Sequence, residues 1–387
     1  MRGELTSVAI GATQLGAASR RSAAARHAAE KVFFPAAALY AGITVPASVH
    51  GMLSGNPLLP GYATVLGHAH ELLFGFALAV AAGFVINRTT TARLAGLFGL
   101  WLLARVIFLT MPDSMAALTA NAAFAAALAW LAVPQFMKGA KKWRNQAFAP
   151  LLLGLCAVLA MFHAGPLTGA SWLRYLALQE AVLLFALLML FMGGRIIAPA
   201  AAGAIQRAGG HLEARVQPRI EGALLIVVAL AAGAAATPGA RAAAGALALV
   251  AAGLGLVRLL RWRLWAAARR PDLWCLGLGY AWLVAGLALL GTAWTTGVLG
   301  ANTATHAITV GALGTLTTGV MARVRLNRAK LDPARSPTIP LMAGVIAAAA
   351  LIRLLVPGDA TALAAASGLW ALAYALMLAL LVRIPPR

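Results

Sequence analysis

The chain has 387 residues, of which 62% are hydrophobic and only 11% charged, with a mean hydropathy of +0.85. A water-soluble chain needs about a quarter of its residues charged to cover its outside, so a soluble domain is excluded. The 31 Lys and Arg outnumber the 10 Asp and Glu, a net charge of +21. They sit between apolar runs, where they set topology and meet anionic membrane lipid, which argues against nucleic acid as a partner.

Lipid admits only helices and closed barrels as spanning structures. The apolar runs are continuous over about twenty residues and do not alternate, so the expected fold is all-α, a polytopic bundle of about twelve transmembrane helices. Residues 1–31, rich in Ala, Ser and Arg, read as a basic cytoplasmic tail, and 32–387 as a single transmembrane domain. The runs fall near 32–53, 65–86, 94–111, 114–137, 147–164, 171–194, 220–237, 240–257, 272–294, 302–321, 338–356 and 360–382. Three links, 195–219, 258–271 and 322–337, are long and basic enough for short interfacial helices. Cys156 and Cys275 lie in separate runs with neither a CxxC nor a zinc spacing.

With both termini inside, every Lys and Arg falls on the cytoplasmic side except Arg174 and Arg241, outside, and Arg105 and Arg353, within spans. A wrong span count would scramble this pattern. Trp172 and Trp294 at outer span ends, and Trp143, Trp262 and Trp265 at inner ones, read as interfacial anchors.

The topology also sorts the histidines. His27 and His211 fall in cytoplasmic segments, whereas His50, His68, His70, His163 and His306 all fall in the outer third of the bilayer. Intramembrane ionisable groups are costly and mark sites, and neutral imidazole in a dry bundle points to metal or haem ligation. His68 and His70 lie roughly 200° apart on a helix, so they look in opposite directions and suggest two centres, or one centre plus a hydrogen-bond group. Glu71, roughly 60° from His68, is the expected orienting partner of His68.

Four segments resemble the NnrS family: His68-Ala-His-Glu-Leu-Leu-Phe-Gly-Phe-Ala77; Leu100-Trp-Leu-Leu-Ala-Arg105; Gly193-Gly-Arg-Ile-Ile197; and His306-Ala-Ile-Thr-Val-Gly-Ala-Leu-Gly-Thr315 running into Gly319-Val-Met-Ala-Arg323. The resemblance runs from about residue 33 to the C-terminus. It implies a multi-pass protein of the bacterial inner membrane that binds haem, of b-type, and copper, with nitric oxide as its small-molecule ligand and a part in tolerance of nitrosative stress. Subunit I of the haem–copper oxidases is a superficial alternative, but it needs an adjacent His-His pair, which this chain lacks.

His70 and His306 begin their spans at similar depth on largely apolar faces, which makes them the expected axial pair for haem; the competing arrangement, open if the second helix starts a turn later, puts His68 in the place of His70. His68, His163 and His50 then fall to a copper-type site, with Cys156 and Met161 as candidate soft ligands on the span of His163. Arg105 is too deep to snorkel and needs an anion, for which a haem propionate and Glu180 are the candidates. Arg174 and Arg353 are expected to reach outer headgroups, and Asn121 to hydrogen-bond between helices. No catalytic triad, phosphate loop or nucleotide fingerprint appears. The competing class is a twelve-span secondary transporter with polar residues lining a substrate path; against it, no internal repeat is evident and the polar groups cluster away from the midplane.

Overall fold

The computed structural model describes residues 26–86, 89–139 and 146–385. Most of the basic tail, Asn87 and Arg88, Lys141, Lys142, Trp143, Arg144 and Arg387 lie outside the described residues. Twelve helices are long and apolar enough to cross a membrane. They are α1 Glu30–Ser54, α2 Val65–Val85, α3 Thr91–Thr110, α4 Met115–Gly139, α5 Phe148–Leu167, α6 Trp172–Arg207, α7 Pro218–Ala235, α8 Arg241–Arg261, α9 Pro271–Thr296, α10 Ala301–Arg328, α11 Thr338–Leu355 and α12 Ala360–Arg383. Each corresponds to one apolar run.

Their ends carry the expected signals. Thr64, Thr90 and Asp359 accept from backbone amides at the starts of α2, α3 and α12, and proline opens α7 and α9, where its missing N–H costs nothing. Left-handed Gly55 and Gly297 close α1 and α9.

Three differences stand out at the basic face. α6 runs 36 residues to Arg207, about 54 Å at 1.5 Å per residue, so half of the 195–219 link is an extension of the span and not a separate interfacial helix. α10 likewise continues to Arg328, and only three- or four-residue 3-10 turns, Glu213–Arg215, Leu264–Ala267 and Pro333–Arg335, occupy the rest of the three links. The end of the predicted tail is also part of the fold: Arg26–His27 pairs antiparallel with Thr89–Thr90, and the Ala29 amide donates to the Ile86 carbonyl.

Consecutive helices pack side by side, and α12 returns against α1 to close the bundle. Small residues set the closest approaches. At the α8–α9 crossing, a Cβ on Gly245 would sit 2.8 Å from the Gly291 carbonyl oxygen, and one on Gly291 equally close to that of Gly245. This is the close packing that helices use where lipid removes the hydrophobic drive to associate. The most deeply buried spans are α2, α6 and α10, and two of these, α2 and α10, carry histidines at the ends away from the basic face.

Candidate functional site: two histidine pairs on the central helices

Both α2 and α10 begin as ordinary α-helix and widen into a π-helical segment, at Glu71–Ala77 and Ala307–Ala312. Such segments are rare and concentrate at functional sites. In each helix a histidine immediately precedes the widening, His70 in one and His306 in the other.

His68 and His306 line one cavity of about 430 Å³. Its other walls come from the same ends of the bundle: Phe76 of α2, Gln179 of α6, Arg241 at the start of α8, Trp294 at the end of α9, Arg353 near the end of α11 and Trp370 of α12. The cavity therefore lies toward the face opposite the basic one, is largely apolar, and has two arginines at its edge. The Ser48 hydroxyl donates to the Val45 carbonyl at 3.0 Å, so its oxygen is free to accept from His68 Nδ1 at 2.6 Å. His306 Nδ1 donates to the Asn302 carbonyl at 2.7 Å. Both rings are thereby held in the Nδ1–H tautomer, leaving the Nε2 lone pairs without a protein partner among the described residues. Metal-ligating histidines are oriented in this way.

His70 faces the other side of α2 and is fully buried. Its Nδ1 donates to Glu71 Oε1 at 2.8 Å, and its Nε2 lies 3.1 Å from His163 Nε2. The ring stacks on Phe108 with centroids 3.8 Å apart. Glu71, also fully buried, accepts in addition from the Tyr40 hydroxyl and from Arg105 Nη1, while Arg105 Nη2 donates to Asn121 Oδ1. Asn121 Nδ2 bonds the Ala117 carbonyl at 2.9 Å, which is the interhelical role expected of it. Gly75 makes room for this cluster, because a Cβ there would lie 2.8 Å from Arg105 Nη1 and 3.0 Å from the Tyr40 ring. Its carbonyl accepts from Trp101 Nε1 at 2.9 Å.

The opposite facing of His68 and His70 is thus as expected, but the partners are exchanged. His70 does not meet His306, since both its ring nitrogens are engaged by Glu71 and His163. Glu71 orients His70 and not His68, because the helix widens at Glu71 and the donors Arg105 and Tyr40 lie on the His70 side. The anion beside Arg105 is Glu71, not Glu180. Glu180 is buried, and its Oε1 has no hydrogen-bond partner among the described residues.

His50 is exposed at the end of α1 and joins neither pair. Cys156 donates to the Ala125 carbonyl at 3.5 Å, away from His163. Arg174 pairs with Asp113 and covers the Phe162 ring, and Arg353 lines the cavity, so neither simply reaches for headgroups. Trp172 and Trp265 are exposed as anchors should be, but Trp262 is buried against Tyr280 and Trp294 forms part of the cavity wall. Tyr40, Ser48 and Gly75 were not legible as site residues; the only signal was the lone Gly in Phe74-Gly75-Phe76.

Among the described residues no group of three or more His, Cys, Asp and Glu side chains is placed to hold a metal ion. A bare metal ion usually needs three or four protein donors, whereas haem brings four nitrogens of its own and asks for two axial ligands. Two Nε2 lone pairs in one apolar cavity with arginines at its edge fit haem on that ground. The family model described as NnrS protein matches residues 27–385. No curated protein matches the chain.

Proposed function

Since the chain belongs to the NnrS family, we propose that it is a haem- and copper-binding protein of the bacterial inner membrane, active in the response to nitric oxide, with both termini cytoplasmic and its metal sites in the outer leaflet. The observation that carries the haem assignment is that His68 and His306 share one cavity with Nδ1 tied and Nε2 free. Bound there, haem would supply iron redox chemistry, and a diatomic gas such as nitric oxide would find an open position on it only if one of the two imidazoles gave up its place.

The chain's own residues do the rest. Ser48 and the Asn302 carbonyl hold the two imidazoles in the ligating tautomer. Phe76 and Trp370 would supply apolar walls that keep water from a bound haem, and Arg241 and Arg353 would offer cations to its carboxylates. Copper would be held by His70 and His163, since imidazole suits copper, and with these two protein donors alone the site would need a further ligand to be complete. Glu71 would then act as the carboxylate behind a ligating histidine, held in turn by Arg105 and Tyr40.

The test is a visible spectrum and copper analysis of four purified variants. His68→Ala and His306→Ala should lose the Soret band and keep copper, while His70→Ala and His163→Ala should do the reverse. A Soret band lost with His70→Ala and kept with His68→Ala would restore the pairing expected from the sequence and refute this one. A secondary transporter is the second reading, favoured by the widened helices α2 and α10 at the cavity. Wild-type protein that carries no haem but moves a solute across vesicles would decide for it.

A further inference from the structure

We propose that the basic face holds a binding site for a phosphate group, separate from the histidine sites at the other end of the bundle. The site is a cavity of about 460 Å³ walled by the extension of α6, the end of α10 and the link that follows it. Arg207, Arg270, Arg323 and Lys330 line it, with Asp332 as the lining carboxylate. Charge distribution places this face in the cytoplasm.

Three observations distinguish the cavity from a diffuse basic surface. First, two of its arginines are fixed in place. Asp272, fully buried, accepts from Arg270 Nε and Nη2 at 2.9 and 3.0 Å and also pairs with Arg323. The two guanidinium groups are mostly buried, with side-chain exposures of 20% and 12%. Second, the charges do not cancel. Four cations face the two carboxylates Asp272 and Asp332, leaving a surplus of two, which a phosphate monoester dianion would neutralise. Arginine's fork of donors suits phosphate oxygens in particular.

Third, Lys330 stands where glycine is normally required. The Lys330 amide bonds the Asn327 carbonyl and the Leu331 amide the Leu326 carbonyl, the pairing that ends a helix through one left-handed residue, and Lys330 has φ +61°. A Cβ is penalised in that conformation. The helix end itself would be better served by glycine, so the lysine reads as kept for its charge at the cavity. The 36-residue length of α6, which a span does not need, also makes sense here, because the extra turns supply Gly203 and Arg207 to the wall.

A phosphate group reaches this site either on a lipid headgroup or in solution, and the experiment separates the two. Full-length protein is placed in phosphatidylcholine nanodiscs, and inorganic phosphate is titrated in by calorimetry. In parallel, nanodiscs containing phosphatidic acid, whose headgroup is a phosphate monoester, are analysed by native mass spectrometry for lipid that stays bound. Binding in the first arm identifies free phosphate, and retention confined to the second identifies a lipid headgroup.

In either arm, Arg207→Gln and Lys330→Gly should each weaken binding about fivefold, the effect of one cation near an anionic group. Arg261→Gln with Arg269→Gln, exposed cations on the same face outside the cavity, should leave it unchanged. Lys330→Gly relieves the backbone at the helix end, so a lowered unfolding temperature is not expected and misfolding cannot explain a loss. The proposal is overturned if neither arm binds, or if the Arg261/Arg269 pair weakens binding as much as the cavity variants do.

Discussion

Replacing Arg105 with methionine removes one of three donors to Glu71 and, among the described residues, the sole side-chain donor to Asn121 Oδ1, with all three residues buried. Breaking a buried ion pair by deleting one partner costs about 3–5 kcal/mol, because the other charge is stranded. Here His70 and Tyr40 still donate to the carboxylate, which puts the cost near the lower end, at about 3 kcal/mol. An orphaned Asn121 oxygen adds about 1 kcal/mol. Glu71→Gln strands Arg105 in the same way and should cost a similar amount. The double variant, Arg105→Met with Glu71→Gln, leaves no buried charge and should fall within about 1.5 kcal/mol of the wild type. The expected signature is therefore strong non-additivity, a coupling of several kcal/mol in a double-mutant cycle. Equilibrium unfolding in mixed micelles, followed by tryptophan fluorescence, measures all four corners. Additive single variants, or an Arg105→Met cost below about 1 kcal/mol, would show that the pair is not the buried, mutually dependent unit described here.

Three further outcomes follow from particular contacts. Gly75→Ala puts a Cβ 2.8 Å from Arg105 Nη1 and 3.0 Å from the Tyr40 ring, so it should destabilise by about 1–3 kcal/mol in the same unfolding assay. Asp113→Asn removes the partner of Arg174, but Asp113 is 62% exposed, so stability should change by less than about 1 kcal/mol. A reporter fused in the 54–64 link and one at the C-terminus should give opposite signals; matching signals would break the span count and the orientation drawn from it.

The twelve spans were legible because each is a continuous apolar run with charge at alternate ends, a signal that depends on composition alone. The candidate site was legible only in part. That His68 and His70 look apart follows from 3.6 residues per turn, and the need of Arg105 for an anion follows from its depth. Which partners they meet does not follow, because His70 and His163 are 93 residues apart and Arg105 and Glu71 are 34. Spacing along one helix says nothing about its neighbours. The widening at Glu71 also lies outside the regular geometry on which the angular argument rested, and it moves the carboxylate to the side of His70. The reach of α6 to Arg207 was hidden for a different reason. Its last two turns are Ala, Gly, Gln and Arg with a single Ile205, a composition on which an apolar run ends but that a helix tolerates.

The two histidine pairs are set back to back on one helix, and this bears on what the buried ion pair is for. A buried ion pair is weak evidence for stability, since an apolar pair of similar volume often serves as well, but it can specify a single arrangement. Glu71 receives donors from α1 through Tyr40, from α3 through Arg105 and from its own helix through His70, and Arg105 extends the link to α4 through Asn121. Four helices are thereby tied at one level, and the α2 turn between His68 and His70 has little freedom to rotate. His68 gains from this directly, because it lines the cavity with its Nδ1 on Ser48 of α1 only while α2 keeps its rotation relative to α1. The cluster behind His70 therefore serves the cavity on the opposite face as an orienting frame, without touching anything bound there. The double variant that restores stability should still loosen this frame, so stability and ligation at His68 are expected to part company in that variant.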